Sequence, residues 1–333
     1  MKAHIDRLGS LVMSLALATA LASLGGCHDR SSPPAASSPP TASNPPTARR
    51  AVLAEHTAEG QAVAAAMQAR FDAVSDADPL NARCDGPRSP LFLCSGILLR
   101  ATSEFSSNYH SWNPNPNSPK KGGVSFSYMR RDASFNKLAY SHNNGFTVWP
   151  IFHLPAGKLE MEVLCYFPMD GATDLRADFG CGAHRDHKDS GPCQDKNPPI
   201  LTGAAWLADY NKAPEGESKR DQSCGFRMVS ETPDSAHLFD EAMHVVHLYR
   251  GAFFDSQDEA IIATWDEGLE TTLPLESFFY VAGTPGVEHA GANQQDFYDT
   301  SHGIWRPVIR MTFPNAIDGP ARFEYRDEDQ NVP

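Results

Sequence analysis

The chain has 333 residues, 41% of them hydrophobic, and a net charge of −13. That acidic balance argues against non-specific nucleic-acid binding, which depends on cations neutralising phosphates. The length allows a sizeable core in one large domain or two small ones.

The first segment, residues 1–26, reads as a lipoprotein signal peptide. Lys2 and Arg7 form a basic n-region and Leu11–Leu24 an apolar h-region too short to span a bilayer. Leu24-Gly25-Gly26-Cys27 then resembles a bacterial lipobox, which makes Cys27 the expected lipidated N-terminus of an exported, membrane-anchored protein. Residues 27–50 follow as a Ser/Pro-rich tether. Its "SSPPAASSPPTASNPPTA" stretch holds three Pro-Pro pairs and no aliphatic side chain larger than alanine. Such a segment buries nothing and stays extended. Residues 51–333 are expected to form a single domain.

That domain opens with an amphipathic helix in "TAEGQAVAAAMQARFDAV", with Val63, Met67, Phe71 and Val74 on one face. "LFLCSGILLR", Leu91–Arg100, is an apolar strand that ends in an arginine. The loop "SSNYHSWNPNPNSPKKGG" is rich in Asn, Pro and Gly, the kind of connection that carries function. "VSFSYMRR" alternates as a half-buried strand, "GFTVWPIF" ends or edges at Pro150, and "LEMEVLCYFP" is a further strand. Asp170–Pro199 lacks periodicity and reads as a long cross-linked loop. "GAAWLADYNK" and "DSAHLFDEAMHVVHLYRGAF" read as helices, the second with a Leu238, Ala242, Val245 and Tyr249 stripe. "EAIIATW", "LESFFYV", "PVIRMTFP" and "ARFEYR" return to strands. The expected fold is α+β, with antiparallel or mixed sheets and flanking helices.

Apart from Cys27 there are six cysteines: Cys84, Cys94, Cys165, Cys181, Cys193 and Cys224. An even count in an oxidising compartment points to three disulfides, with 15 connectivities open. Zinc is the rival, but no CxxC pair exists and the one CxxH, Cys181 with His184, lacks a second pair. No metal site is expected.

Several polar clusters could carry chemistry. Asp240, His244 and His247 share a helix face, "HRDHKD" (His184–Asp189) is a charge cluster, and "NQQDFYDT" (Asn293–Thr300) is an amide-rich loop. A solvated polar face and a hydrated charge cluster are the better readings of the first two, and turn residues explain the third as well. More pointed is an ordered set along the chain: Arg100, then Ser125-x-Ser127, then Glu160-x-Glu162. In each x-spaced pair both side chains fall on one strand face. Taken singly these residues are more often structural. Together they resemble the arginine, serine and glutamate set of ADP-ribosyltransferases and related NAD-consuming enzymes. A guanidinium fork suits a pyrophosphate. A carboxylate such as Glu162, with Glu160 beside it, would stabilise the oxocarbenium-like cation formed when nicotinamide leaves, and Ser125 and Ser127 would position it. Tyr128 or Trp149 could stack on nicotinamide.

The stretches "LCSGILLR", "YHSWNPNPNSPKKGGVSFSYMRRD", "HNNGFTVWP", "LCYFPMDGATDLRADFGCGAH", "SGPCQ", "CGF" and "QQDFYDT" are together similar to the bacterial halovibrin family. The likeness runs from about Cys84 to the C-terminus. It implies an exported protein of ADP-ribosyltransferase or NAD-glycohydrolase type, with NAD as substrate, no cofactor, and water or a protein as acceptor. No catalytic residue is carried over from the family; the Arg, Ser and Glu positions are a match to the transferase pattern. The lipobox and tether depart from a freely released factor.

Overall fold

A computed structural model of the chain describes residues 53–73, 95–102, 110, 112, 123–138, 143–150, 162–171, 176–177, 181–188, 190–212, 219–228, 233–263, 274–317 and 319–332. All belong to one unit, Arg49–Pro333. The signal segment, the tether, Cys27, Cys84, Cys94 and Glu160 lie outside the described residues.

The chain enters through helix α1 (Ala54–Asp72), whose buried positions Gly60, Ala64, Met67 and Phe71 recur at helical spacing. Among the described residues nine strands follow, and they form one mixed sheet: β1 (Ile97–Ala101), β2 (Val124–Met129), β3 (Asn144–Val148), β4 (Glu162–Phe167), β5 (Phe226–Arg227), β6 (Glu259–Ala263), β7 (Ser277–Val281), β8 (Val308–Thr312) and β9 (Arg322–Tyr325). Their spatial order is β5-β4-β6-β2-β1-β3-β7-β8-β9. Described neighbours pair antiparallel except β7 and β8, which run parallel across a helix. The helices between are α2 (Gly203–Tyr210), the single turn α3 (Lys219–Gln222), α4 (Pro233–Phe253) and α5 (Gly286–Thr300). The α+β expectation holds at this level.

Alternation divides the sheet into two faces. On one face Leu98, Phe126, Tyr128, Phe146, Val148, Phe278 and Val308 pack beneath α2, α4 and α5. On the other, Ile97, Leu99, Met129, Phe279, Ile309 and Met311 pack against Met67 and Phe71 of α1. Cys165, Phe167, Cys181 and Ile261 extend that second face under the cross-linked loop. Helix α1 can lie close to β9 because Gly60 has no side chain; a Cβ there would come within 2.2 Å of the Tyr325 ring.

Three expectations need correction. Strand β2 is buried on both faces, not half-buried, since Ser127 and Met129 are covered as fully as Phe126. The α4 stripe stops short of Tyr249, which is 39% exposed and sits at a kink with non-helical φ and ψ. The amide-rich "NQQDFYDT" is the second half of helix α5, not a loop.

Among the described residues two disulfides are formed, Cys165–Cys181 and Cys193–Cys224. They fasten the loop after β4 to the sheet and to the segment leading into β5. Arg176 completes this arrangement. It is buried, and its guanidinium donates to the carbonyls of Ser190 and Ser223, both at 2.7 Å, and of Gly171 and Arg220. The same group lies 4.7 Å over the Phe167 ring.

Candidate functional site

Arg100 is half-buried on β1, the central strand. Its place in the sequence has a local cause. The β1–β2 ladder ends at Leu99↔Ser127, and Arg100 Nη1 donates to the next outward-facing carbonyl, that of Ser125, at 2.6 Å. The guanidinium thus satisfies a backbone acceptor at the ladder's end.

The serines do not join it. Strand pairing sets Arg100 opposite Phe146, on the face that carries α4 and α5. Ser127 pairs with Leu99 and Ser125 with Ile261, so both hydroxyls are on the opposite face, and Ser127 is 2% exposed. Glu162 opens β4, where its backbone pairs with Ala263. Strand β6 is inserted between β4 and β2, which leaves β4 three strands from β1, roughly 14 Å at ordinary strand spacing. The Glu162 side chain, like Glu160, lies outside the described residues. The expected convergence of arginine and serine hydroxyls on one cleft is therefore corrected: the sheet separates them by face.

Neither expected stacking residue offers a ring. Tyr128 is completely buried, edge-on to Phe239 at 5.8 Å, with its hydroxyl 3.3 Å from Ser95 Oγ. Trp149 carries the Arg70 guanidinium 5.1 Å over its ring. Tyr128 belongs instead to a buried polar network. Arg130 and Asp132 pair within it, and Arg130 also donates to Ser95 Oγ at 3.0 Å. Beside them, the Tyr166 hydroxyl donates to Asp258 at 2.6 Å and the Tyr128 N–H donates to the other carboxylate oxygen at 2.8 Å. Burial pushes the Asp258 carboxyl up to about 8 and raises the Tyr166 hydroxyl well above its ordinary range.

The "HRDHKD" segment is more ordered than a hydrated cluster. His184 is 2% exposed, and its Nδ1 accepts the Asp186 N–H at 3.2 Å. Its Nε2 faces Asp221 at 3.9 Å, and burial lowers its pKa. Cys181 is taken by a disulfide and so is no partner for His184 around zinc. Among the described residues no three His, Cys, Asp or Glu side chains converge as a metal site requires. In the α4 trio, Asp240 and His247 have side chains outside the described residues.

A different group does come together. His110 and Trp112, from the Asn/Pro-rich loop after β1, meet Asp296 of α5. His110 Nδ1 and Trp112 Nε1 each lie 2.7 Å from the same carboxylate oxygen, Asp296 Oδ2. A carboxylate oxygen accepts, so the imidazole donates from Nδ1, and in the neutral ring Nε2 is then the acceptor nitrogen. The two rings stack at 4.9 Å with planes 21° apart. Trp112 is 3% exposed and meets the Phe297 ring edge-on at 5.0 Å, while the His110 side chain keeps 38% exposure. Phe297 in turn lies 5.9 Å from Phe278, which pairs with Phe146, the strand neighbour of Arg100. The histidine, tryptophan and carboxylate thus share Arg100's face of the sheet. Sequence reasoning marked both the "NYHSW" loop and "QQDFYDT" without joining them; 184 residues separate Trp112 from Asp296. Comparison with known family models and with characterised proteins finds no match.

Proposed function

We propose that the chain is an exported, lipid-anchored NAD glycohydrolase that cleaves the nicotinamide–ribose bond, with ADP-ribosyl transfer to a protein as an alternative outlet. In this reading the α+β fold is ADP-ribosyltransferase-like, NAD is the substrate, no cofactor takes part, and Cys27 carries the lipid. The observation that supports it is the shared face. Arg100, on the central strand, and the His110–Trp112 stack lie on the same side of the sheet, within the span of three strands. A guanidinium there suits a pyrophosphate. The half-exposed His110 ring, backed by the buried Trp112, offers a flat face on the same side of the sheet for a heteroaromatic ring, a role that Tyr128 and Trp149 do not fill.

A second reading has an observation of its own. Because the serine hydroxyls face away from Arg100, the chain could be a non-catalytic surface lipoprotein that uses the His110–Trp112 surface to bind a glycan or protein.

Nicotinamide release from NAD by the purified protein separates the two. The enzyme reading expects turnover above buffer, and a fall in kcat/KM of roughly 10- to 100-fold in Arg100→Lys, the cost of losing charge-assisted hydrogen bonds from a planar fork. No release by the wild type leaves the binding reading.

A further inference from the structure

We infer that His110 is the general base of this site and that Asp296 and Trp112 are the residues that position it; the assignment rests on the NAD reading above. The geometry is that of an oriented imidazole. Asp296 Oδ2 receives two donors at 2.7 Å, one from the His110 ring and one from the Trp112 indole. The indole is itself fixed by burial against Phe297. A carboxylate held in this way selects the Nδ1–H tautomer of the neutral ring and fixes its orientation, leaving Nε2 to take a proton. Among the described residues nothing pairs with Nε2, and the side chain is more than one-third exposed. The arrangement therefore offers a proton acceptor to a bound substrate and not a buried structural link.

The step balances. As the C–N bond between ribose C1′ and nicotinamide breaks, the bonding pair returns to the pyridinium nitrogen and neutralises it. Water adds its oxygen to C1′, and its proton passes to His110 Nε2. The products are nicotinamide, ADP-ribose and one proton, which the imidazolium later gives to solvent. Arg100, on the same face, would hold the pyrophosphate that fixes C1′ relative to Nε2.

The test uses nicotinamide release by the purified wild-type protein and by His110→Gln, His110→Gly and Asp296→Asn, each first checked by its thermal unfolding midpoint. His110→Gln is expected to lower kcat about 10²- to 10⁴-fold with little change in KM. Added imidazole should restore part of the rate in His110→Gly, a recovery that a merely structural role would not give. Asp296→Asn should lower kcat and shift the His110 tautomer seen in ¹⁵N NMR. If the wild type turns over NAD and His110→Gln stays within threefold of it, the base assignment is overturned and the NAD reading stands. If the wild type is inert towards NAD while the NMR shows the Nδ1–H tautomer, the NAD reading is overturned together with this step, and the oriented pair remains as a binding feature.

Discussion

Asp258 sits among aromatic rings with its two oxygens held by Tyr166 and by the backbone of Tyr128. Its carboxyl titrates at about 8 in the folded protein and near the ordinary carboxylate value of about 3.9 when unfolded. Between those values the unfolded chain releases the proton and the folded chain keeps it, so the folded state binds more protons. Stability is then full below about pH 4, falls as pH rises towards 8 by up to about 1.4 kcal/mol per unit, and levels off above. Asp258→Asn cannot ionise and should lose that slope. Urea unfolding of both proteins at several values between pH 4.5 and 8 reads it; parallel slopes would refute the assignment. Gly96 makes a second prediction. It has φ +66°, and a Cβ there would come within 2.3 Å of the Tyr128 ring. Gly96→Ala should cost roughly 2–5 kcal/mol, combining left-handed strain with overpacking, again read by urea unfolding. Both residues were silent in the sequence: an Asp before "EAIIA" and a Gly before "ILL" gain meaning only from the buried Tyr128.

Elements show where periodicity works and where it fails. Strands β1, β2, β3, β4, β6, β7, β8 and β9 were legible because large apolar residues fill them and Gly or Pro bounds several. Helix α5 was not, since it buries Gly286, Ala290, Gly291, Asn293 and Gln294 with a single large apolar residue, Phe297. The amides are buried for a reason. Gln294 donates to the Arg306 carbonyl at 2.7 Å and accepts from the Asn331 N–H at 2.7 Å, tying the end of the chain to the helix. The cross-linked loop gives this scale its predictions. Arg176→Met keeps most of the volume but leaves several buried carbonyls unpaired, at about 1–3 kcal/mol each. A loss of at least about 3 kcal/mol is expected in urea unfolding. Replacing Cys193 and Cys224 together by Ala should cost about 3–4 kcal/mol in the chain-entropy view, and a cost near zero would show that the contacts around Arg176 hold the loop alone.

At the scale of the whole molecule, strand order decides which sequence neighbours become spatial ones. The Arg100, Ser125–Ser127 and Glu162 order was plain in the sequence, but nothing there shows that β6, about a hundred residues after β4, is inserted between β4 and β2. Nor does it show that odd and even positions of β1 and β2 place guanidinium and hydroxyls on opposite faces. The His110–Asp296 pairing depends on the same long-range assembly, through the β7–α5–β8 crossover. The packing of α1 on β9 has a mechanical side as well. Gly60 lies against the Tyr325 ring, Thr57 Oγ1 bonds Asp327 just after β9 at 2.8 Å, and His56 stacks on Trp305 ahead of β8 at 4.4 Å, so a pull arriving ahead of Leu53 loads the join of the first helix to the C-terminal strands. Strand β9 is at the sheet's edge, bonded to β8 alone, whereas β1 is flanked on both sides by two strands that are themselves paired. In single-molecule stretching between residues 53 and 332, α1 and β9 should therefore yield at low force as a first step, with the centre of the sheet giving way later and at higher force. The packing of α1 on β9 is then a sacrificial clasp that yields before tension reaches the central strand and Arg100.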